Sequence, residues 1–167
     1  MAVTYTPIAT TTLGSAAPSY TFSSIPQGYT DLVLVVGSVS VSNDGYALDF
    51  KINGDTGSNY SLTNISGNGS TVRSDRVSNG TNTANDIAYY YGFSSSSPGQ
   101  STLNFMNYSN TTTYKTVLAR TSVSAKEVEA SVHLWRSTAA ITSIEIGAAG
   151  SNIAAGSTFT LYGIEAA

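Results

Sequence analysis

The sequence contains no cysteine, one histidine and few charged residues. Without cysteine, the chain cannot form a disulfide, a thiol nucleophile or a cysteine-ligated zinc or iron–sulfur site. Charged residues make up 10% of the 167 residues, well below the roughly 25% of an ordinary globular domain. The net charge is −3, which argues against binding to a nucleic-acid backbone.

The sequence also lacks long apolar runs and the features of a signal peptide. The longest aliphatic run covers residues 32–36, whereas a membrane-spanning helix needs about 18 or more apolar residues. The first five residues contain no basic region followed by an apolar stretch, so we expect no signal peptide. These features predict a chain that is made and folded in a cytoplasm and does not bind a membrane.

Small hydroxyl residues and short apolar segments dominate what is present. The chain has 26 serines and 22 threonines, and its apolar segments are rich in β-branched and aromatic residues. Glycine, asparagine, serine or proline bounds each segment, which is typical of short strands joined by turns. Helical periodicity never extends beyond about two turns. Strands are predicted at residues 3–10, 19–23, 31–41, 46–52, 60–65, 71–77, 86–93, 101–108, 115–122, 127–136, 141–146 and 158–164.

These strands predict an all-β fold with a single domain over residues 1–167. Two antiparallel sheets packed as a jelly-roll-like sandwich are the first choice. An immunoglobulin-like sandwich is the alternative, although the cysteine pair of that fold is missing.

Alternation along the strands predicts which side chains face the core. Leu48, Phe50 and Ile52 share one face of their strand, so we expect them inside. The segment 127–136 also alternates, and its apolar set is expected in the core and its polar set in solvent; the first set is Val128, Ala130, Val132 and Leu134, and the second is Glu127, Glu129, Ser131 and His133. Residues 1–12, which lack charged side chains, are expected to extend from the sandwich as a contact arm.

The residue types needed for catalysis are scattered. A serine hydrolase triad would have to use His133, which we expect to be an exposed strand residue, and no nucleophile-elbow motif is present. Glu127 and Glu129 share a strand face about 7 Å apart, an arrangement that is common on solvated strands. Asp55, in a glycine-rich loop, is expected to cap a turn rather than to bind Ca²⁺. The sequence therefore predicts no catalytic residues, no metal and no cofactor.

Aromatic residues are the best candidates for binding. Tyr89 and Tyr91 share one face of a predicted strand, and an exposed tyrosine face suits a sugar-stacking platform or a subunit contact. Trp135 lies in phase with the polar side of its strand, so it is a third candidate surface contact. Alternatively, its ring covers the open end of the sandwich.

Four stretches resemble a family of small β-sandwich virion proteins of tailed bacteriophages. In chain order they are YTFSSIP at residues 20–26, FKINGDTGSNYS at 50–61, LWRSTAAITSI at 134–144 and AGSTFTLYGI at 155–164. The resemblance spans residues 5–165, although the segment between Gly67 and Thr113 carries none of the motifs.

The resemblance implies a non-enzymatic structural protein of the virion. Because the module has no coiled coil or shaft, a capsid decoration (cement) protein is favoured over a fibre. Its expected partners are the major capsid protein and further copies of itself, as a homotrimer. A receptor-binding module of a tail or head fibre, with a glycan as its ligand, is the alternative.

Overall fold

The residues that the structure describes form eleven β-strands. The computed structural model describes residues 4–39, 41, 47–81, 86–88, 92–148 and 150–165. In chain order the strands are β1 (Tyr5–Thr12), β2 (Ser19–Phe22), β3 (Asp31–Val39), β4 (Leu48–Ile52), β5 (Tyr60–Gly67), β6 (Val72–Gly80), β7 (Gly99–Phe105), β8 (Lys115–Val123), β9 (Glu127–Trp135), β10 (Ile144–Ala148) and β11 (Thr158–Ile164). Within these residues, nothing helical is long and apolar enough to cross a membrane.

The strands form two antiparallel sheets of unequal size. The large sheet has the order β1-β11-β3-β7-β8-β9-β5-β6, and the small sheet has the order β2-β10-β4. The chain passes repeatedly from one sheet to the other, whereas β7, β8 and β9 follow one another as a meander. The all-β sandwich of two antiparallel sheets predicted from the sequence is confirmed.

The apolar core lies between the small sheet and the central strands of the large sheet. Leu48, Phe50 and Ile52 of β4 are buried, as their alternation predicts. The Phe50 ring contacts Phe105 edge to face, with 5.7 Å between ring centroids. Tyr20 of β2 stacks on a ring of β11 at 5.6 Å. Aromatic contacts across the sandwich therefore hold the two sheets together.

Two predicted segments differ in the structure. The described part of 86–93 contains no strand. Ile87 and Phe93 form isolated bridges, and Ile87 makes two backbone hydrogen bonds to Leu48. The prediction of a contact arm at residues 1–12 is wrong for residues 5–12. They form the edge strand β1, which pairs with β11 from Tyr5 to Thr12, because a β-rich segment beside an open sheet edge satisfies its backbone groups by joining that sheet.

Candidate functional site

Trp135 lies in the core and not on the surface, where we expected a contact residue. Its side chain is 3% exposed, and its Nε1 donates a hydrogen bond to Asp55 Oδ2 at 2.7 Å. Asp55 also accepts hydrogen bonds from the Gly57 amide at 2.8 Å and from Asn59 Nδ2 at 2.9 Å. Trp135 therefore offers no ring to a ligand, and Asp55 caps its turn as expected.

The three hydrogen-bond donors stabilise the charged form of Asp55. Burial opposes the charged form, but the hydrogen bonds from Trp135, Asn59 and Gly57 outweigh it. The pKa of Asp55 is consequently below its ordinary value of 3.8.

Two of the sequence stretches quoted above, residues 50–61 and 134–144, contact each other. Asn53 donates a hydrogen bond to the Ala140 carbonyl at 2.7 Å and accepts one from the Thr142 amide at 2.8 Å. Arg136 donates to Ser61 Oγ at 2.6 Å. These hydrogen bonds join the residues around the β4–β5 loop to the segment that follows β9, so both stretches contribute to the fold.

The two candidate tyrosines, Tyr89 and Tyr91, lie outside the described residues. Their role as a binding platform stays a prediction.

Strand β9 has the opposite orientation to the one predicted. Its polar side chains are buried and its apolar side chains are exposed: Glu127, Glu129, Ser131 and His133 face the interior, and Val128, Ala130 and Val132 face solvent. The reason is that Trp135 is in phase with the polar set. Because side chains alternate with a period of two, burying Trp135 against Asp55 turns every second residue of β9 inward.

Neighbouring strands complete a buried polar patch beneath β9. Asn64 and Ser66 on β5, and Ser101 and Thr121 on β7 and β8, have their side chains on the same inner face. The Ser101 and Thr121 hydroxyls lie 2.6 Å apart. Asn64 Nδ2 lies 3.5 Å from Glu129 Oε2, whereas Ser66 Oγ has no hydrogen-bond partner among the described residues. The polar side chains of this patch are therefore only partly paired.

Ser131 and His133 approach each other as in a hydrolase but lack the rest of that machinery. Ser131 Oγ lies 2.9 Å from His133 Nε2, while none of the described residues forms a hydrogen bond with His133 Nδ1 to orient the ring. The imidazole is 1% exposed, which corrects the expectation of an exposed histidine, and its ring packs edge to face on Phe50. Burial lowers the pKa of His133 to about 3, so the ring is neutral and poorly suited to general base catalysis near pH 7.

Carboxyl groups gather at the margin of the same interior. Burial raises the pKa of Asp86 to about 7, and the negative charges of Asp49 and Glu129 add to the shift. Among the described residues, no group of three or more histidine and acidic side chains is placed to hold a metal ion. Asp86 is therefore a half-buried carboxyl group whose charged form is opposed by burial and by two neighbouring carboxylates.

The outer face of the large sheet carries the exposed apolar side chains. Five aliphatic residues on β5, β6, β8 and β9, here called the outer patch, are at least 40% exposed: Ile65, Val72, Leu118, Val128 and Val132. An open groove of about 630 Å³ runs between Ile65, Leu118 and Val132. It continues into a second groove of about 480 Å³ beside Val72 and Val128. The largest contiguous apolar patch on a soluble monomer is often an interaction site, and patches larger than a few hundred Å² are uncommon.

Arg120 lies in the middle of the outer patch. It is exposed on β8, lines both grooves and pairs across the strands with Ala130. Sequence analysis missed this surface because it assigned the apolar side of β9 to the core. The phase of Trp135 was the signal that could have revealed it.

Comparisons with known proteins identify no family. No protein-family model matches the sequence, and no curated protein is significantly similar to it. A structural comparison matches the chain with alginate lyase Aly36B at a TM-score of 0.35 and 7% sequence identity. The match covers 91% of this chain and 78% of that chain. At this level of similarity it carries no argument about activity.

Proposed function

We propose that the chain is a non-enzymatic structural protein of a bacteriophage virion, a capsid decoration protein that binds the outer capsid surface as a homotrimer. The observation that carries the proposal is the outer patch, an aliphatic surface on a rigid sandwich. Such a surface suits association with another protein, because apolar area removed from water is the main favourable term in protein–protein binding. The resemblance of residues 5–165 to phage virion proteins directs the proposal to the capsid.

The chemistry of the interior supports a role without catalysis. The serine and histidine of β9 are buried, and the histidine is neutral. A catalytic pair needs access to substrate and a pKa near the working pH. Ser131 and His133 meet neither condition.

The lining of the grooves favours a protein over a glycan as the partner. Ile65, Leu118 and Val132 are aliphatic, whereas sugar rings are generally stacked on aromatic side chains and held by many hydrogen bonds. Trp135, the candidate surface contact that lies among the described residues, is buried.

The test is to locate the chain in the virion and to count its copies. A decoration protein is expected at hundreds of copies over the capsid surface, measured by imaging of particles and by quantitative gel analysis. Particles assembled without it should have normal size and release DNA at a lower temperature. A dozen or so copies confined to the tail tip would replace this proposal with host attachment.

A further inference from the structure

The charged side chains that the structure describes on the outer face of strands β5 to β9 are all of one sign. Strands β5 to β9 contain three carboxylates: Asp75, Glu127 and Glu129. Glu127 and Glu129 are buried on the inner side of β9. Asp75 pairs with the buried Asn64, so it lies on the inner side of β6. The described residues of these five strands therefore place no carboxylate on the outer face.

The charged groups on that face are arginines. Arg120 is exposed on β8, next to the aliphatic side chains of β8 and β9. Arg76 on β6 pairs with Thr63, whose side chain is on the outer side of β5. The outer face is consequently positive, although the whole chain has a net charge of −3.

This charge pattern selects among the possible occupants. Two copies docked face to face would bring four arginines to one apolar interface without an acidic partner, and like charges brought together in an interface oppose binding. A nucleic acid would need many basic contacts rather than two in an aliphatic groove. A protein surface with aliphatic side chains next to a carboxylate satisfies both the grooves and Arg120, because a guanidinium pairs with a carboxylate through two parallel hydrogen bonds.

We propose that the outer patch is the capsid-binding surface of this protein and that its counterpart on the capsid protein carries aliphatic side chains beside at least one carboxylate that pairs with Arg120. This inference rests on the function proposed above. In it, the aliphatic side chains provide most of the binding energy, and Arg120 fixes the orientation of the protein on the shell.

The experiment measures binding to purified heads assembled without this chain. Wild-type protein is mixed with the heads at a series of concentrations, and the bound fraction is measured after sedimentation. Arg120→Glu is expected to weaken binding by about tenfold or more, because it sets a negative charge against the carboxylate. Val128→Asp should weaken it similarly by placing a charge in the apolar contact.

The matched control is Lys126→Glu, which makes the same change of charge. Lys126 lies in the turn between β8 and β9 and lines neither of the two grooves. It should bind within about twofold of wild type, since charges outside a contact contribute little to affinity. Urea unfolding of each variant shows whether its fold is intact.

Each outcome decides a different statement. If wild-type protein binds and Arg120→Glu binds equally well, the inference fails and the proposed function stands. If Lys126→Glu weakens binding as much as Arg120→Glu, the effect is one of net charge and the inference also fails. If Arg120→Glu changes the mass of the protein alone, the patch covers a second copy and not the capsid. If wild-type protein does not bind the heads, the proposed function fails and takes the inference with it.

Discussion

At the scale of single residues, two buried titratable groups give the protein opposite responses to pH. Asp86 has an ordinary pKa of 3.8 that rises to about 7 in the folded chain, mainly through burial and further through Asp49 and Glu129. Between these values the folded state binds more protons than the unfolded state. The contribution of Asp86 to the free energy of unfolding therefore falls as the pH rises from about 4 to about 7.

His133 acts in the other direction. Its pKa falls from 6.5 to about 3 through burial, so between these values the unfolded state binds more protons. Its contribution to the free energy of unfolding falls as the pH decreases from 6.5 to about 3. Between about pH 4 and pH 6.5, the two groups therefore change the free energy of unfolding in opposite directions.

Single substitutions should separate the effects of the two groups. Asp86→Asn removes the acidic group, so the stability of the variant should rise with pH up to about 6.5. His133→Gln removes the imidazole, so the stability of that variant should fall as the pH rises toward about 7. Urea midpoints measured from about pH 4.5 to about pH 7.5 provide the test. Parallel pH profiles for both variants and wild type would show that neither group titrates as described.

The hydrogen bond between Trp135 and Asp55 gives a second prediction at this scale. Trp135→Phe keeps an aromatic ring in the core but removes the Nε1 donor. Loss of a hydrogen bond to a charged acceptor should lower the free energy of unfolding by about 1.5–3 kcal/mol.

The control for this prediction is the same substitution in an Asp55→Ala background. There the donor has already lost its acceptor, so Trp135→Phe should cost less. An equal cost in both backgrounds would mean that ring volume, and not the hydrogen bond, is what Trp135 contributes.

At the scale of the strands, the orientation of β9 predicts the ranking of adjacent substitutions. Val132 is exposed, so Val132→Thr should change the free energy of unfolding by no more than about 0.5 kcal/mol. Ser131 is buried against His133 Nε2, so Ser131→Val should cost about 1–3 kcal/mol by leaving a buried nitrogen without its partner. Urea unfolding of the two variants tests the ranking. The reverse order would place the aliphatic side of β9 in the core.

The edge strand β1 gives a prediction about truncation. Deleting residues 1–12 removes the partner of β11 and the ring contact between Tyr5 and Tyr162. The truncated chain should melt at a lower temperature and associate through the newly open edge of β11. Thermal unfolding with light scattering measures both effects, and a deletion of residues 1–3 alone is the control. An unchanged melting temperature would mean that β1 adds nothing to the stability of the sandwich.

The strands could be predicted from sequence because their signals are local. The aliphatic run of β3 and the alternation of β4 are each visible within one segment, and glycine- or asparagine-rich turns bound them. The inner side of β9 is not a local property, because both alternating sets are regular. It depends on contacts with Asp55 and with the polar side chains of β5, which lie far away in the sequence.

The outer patch could not be predicted either, because it depends on which side of β9 faces the interior. With β9 in the predicted orientation, Val128 and Val132 would lie in the core and the outer side of β9 would be polar. In the structure they join Ile65 and Leu118 across the strands to form the outer patch. Arg120 could not be predicted as a site residue either, because a single arginine in a strand indicates no function until its neighbours on the sheet are known.

At the scale of the whole molecule, the stretches that carry the resemblance and the surface that carries the proposed function are separate. Asn53, Asp55 and Arg136 bind partners within the sandwich. Arg120 and Val128 are exposed on the outer face of the large sheet.

The charge of the outer patch predicts that the proposed trimer forms through a different surface. The outer patch is positive and does not match a second copy of itself, so contacts between subunits must use another surface. We expect wild-type protein to sediment at three times the 17.3 kDa mass of the chain, and Arg120→Glu to sediment identically. Sedimentation equilibrium at several concentrations measures both masses. A wild-type mass of one chain would contradict the trimer. A trimer that dissociates on Arg120→Glu would show that the patch joins subunits, so that a different surface faces the capsid.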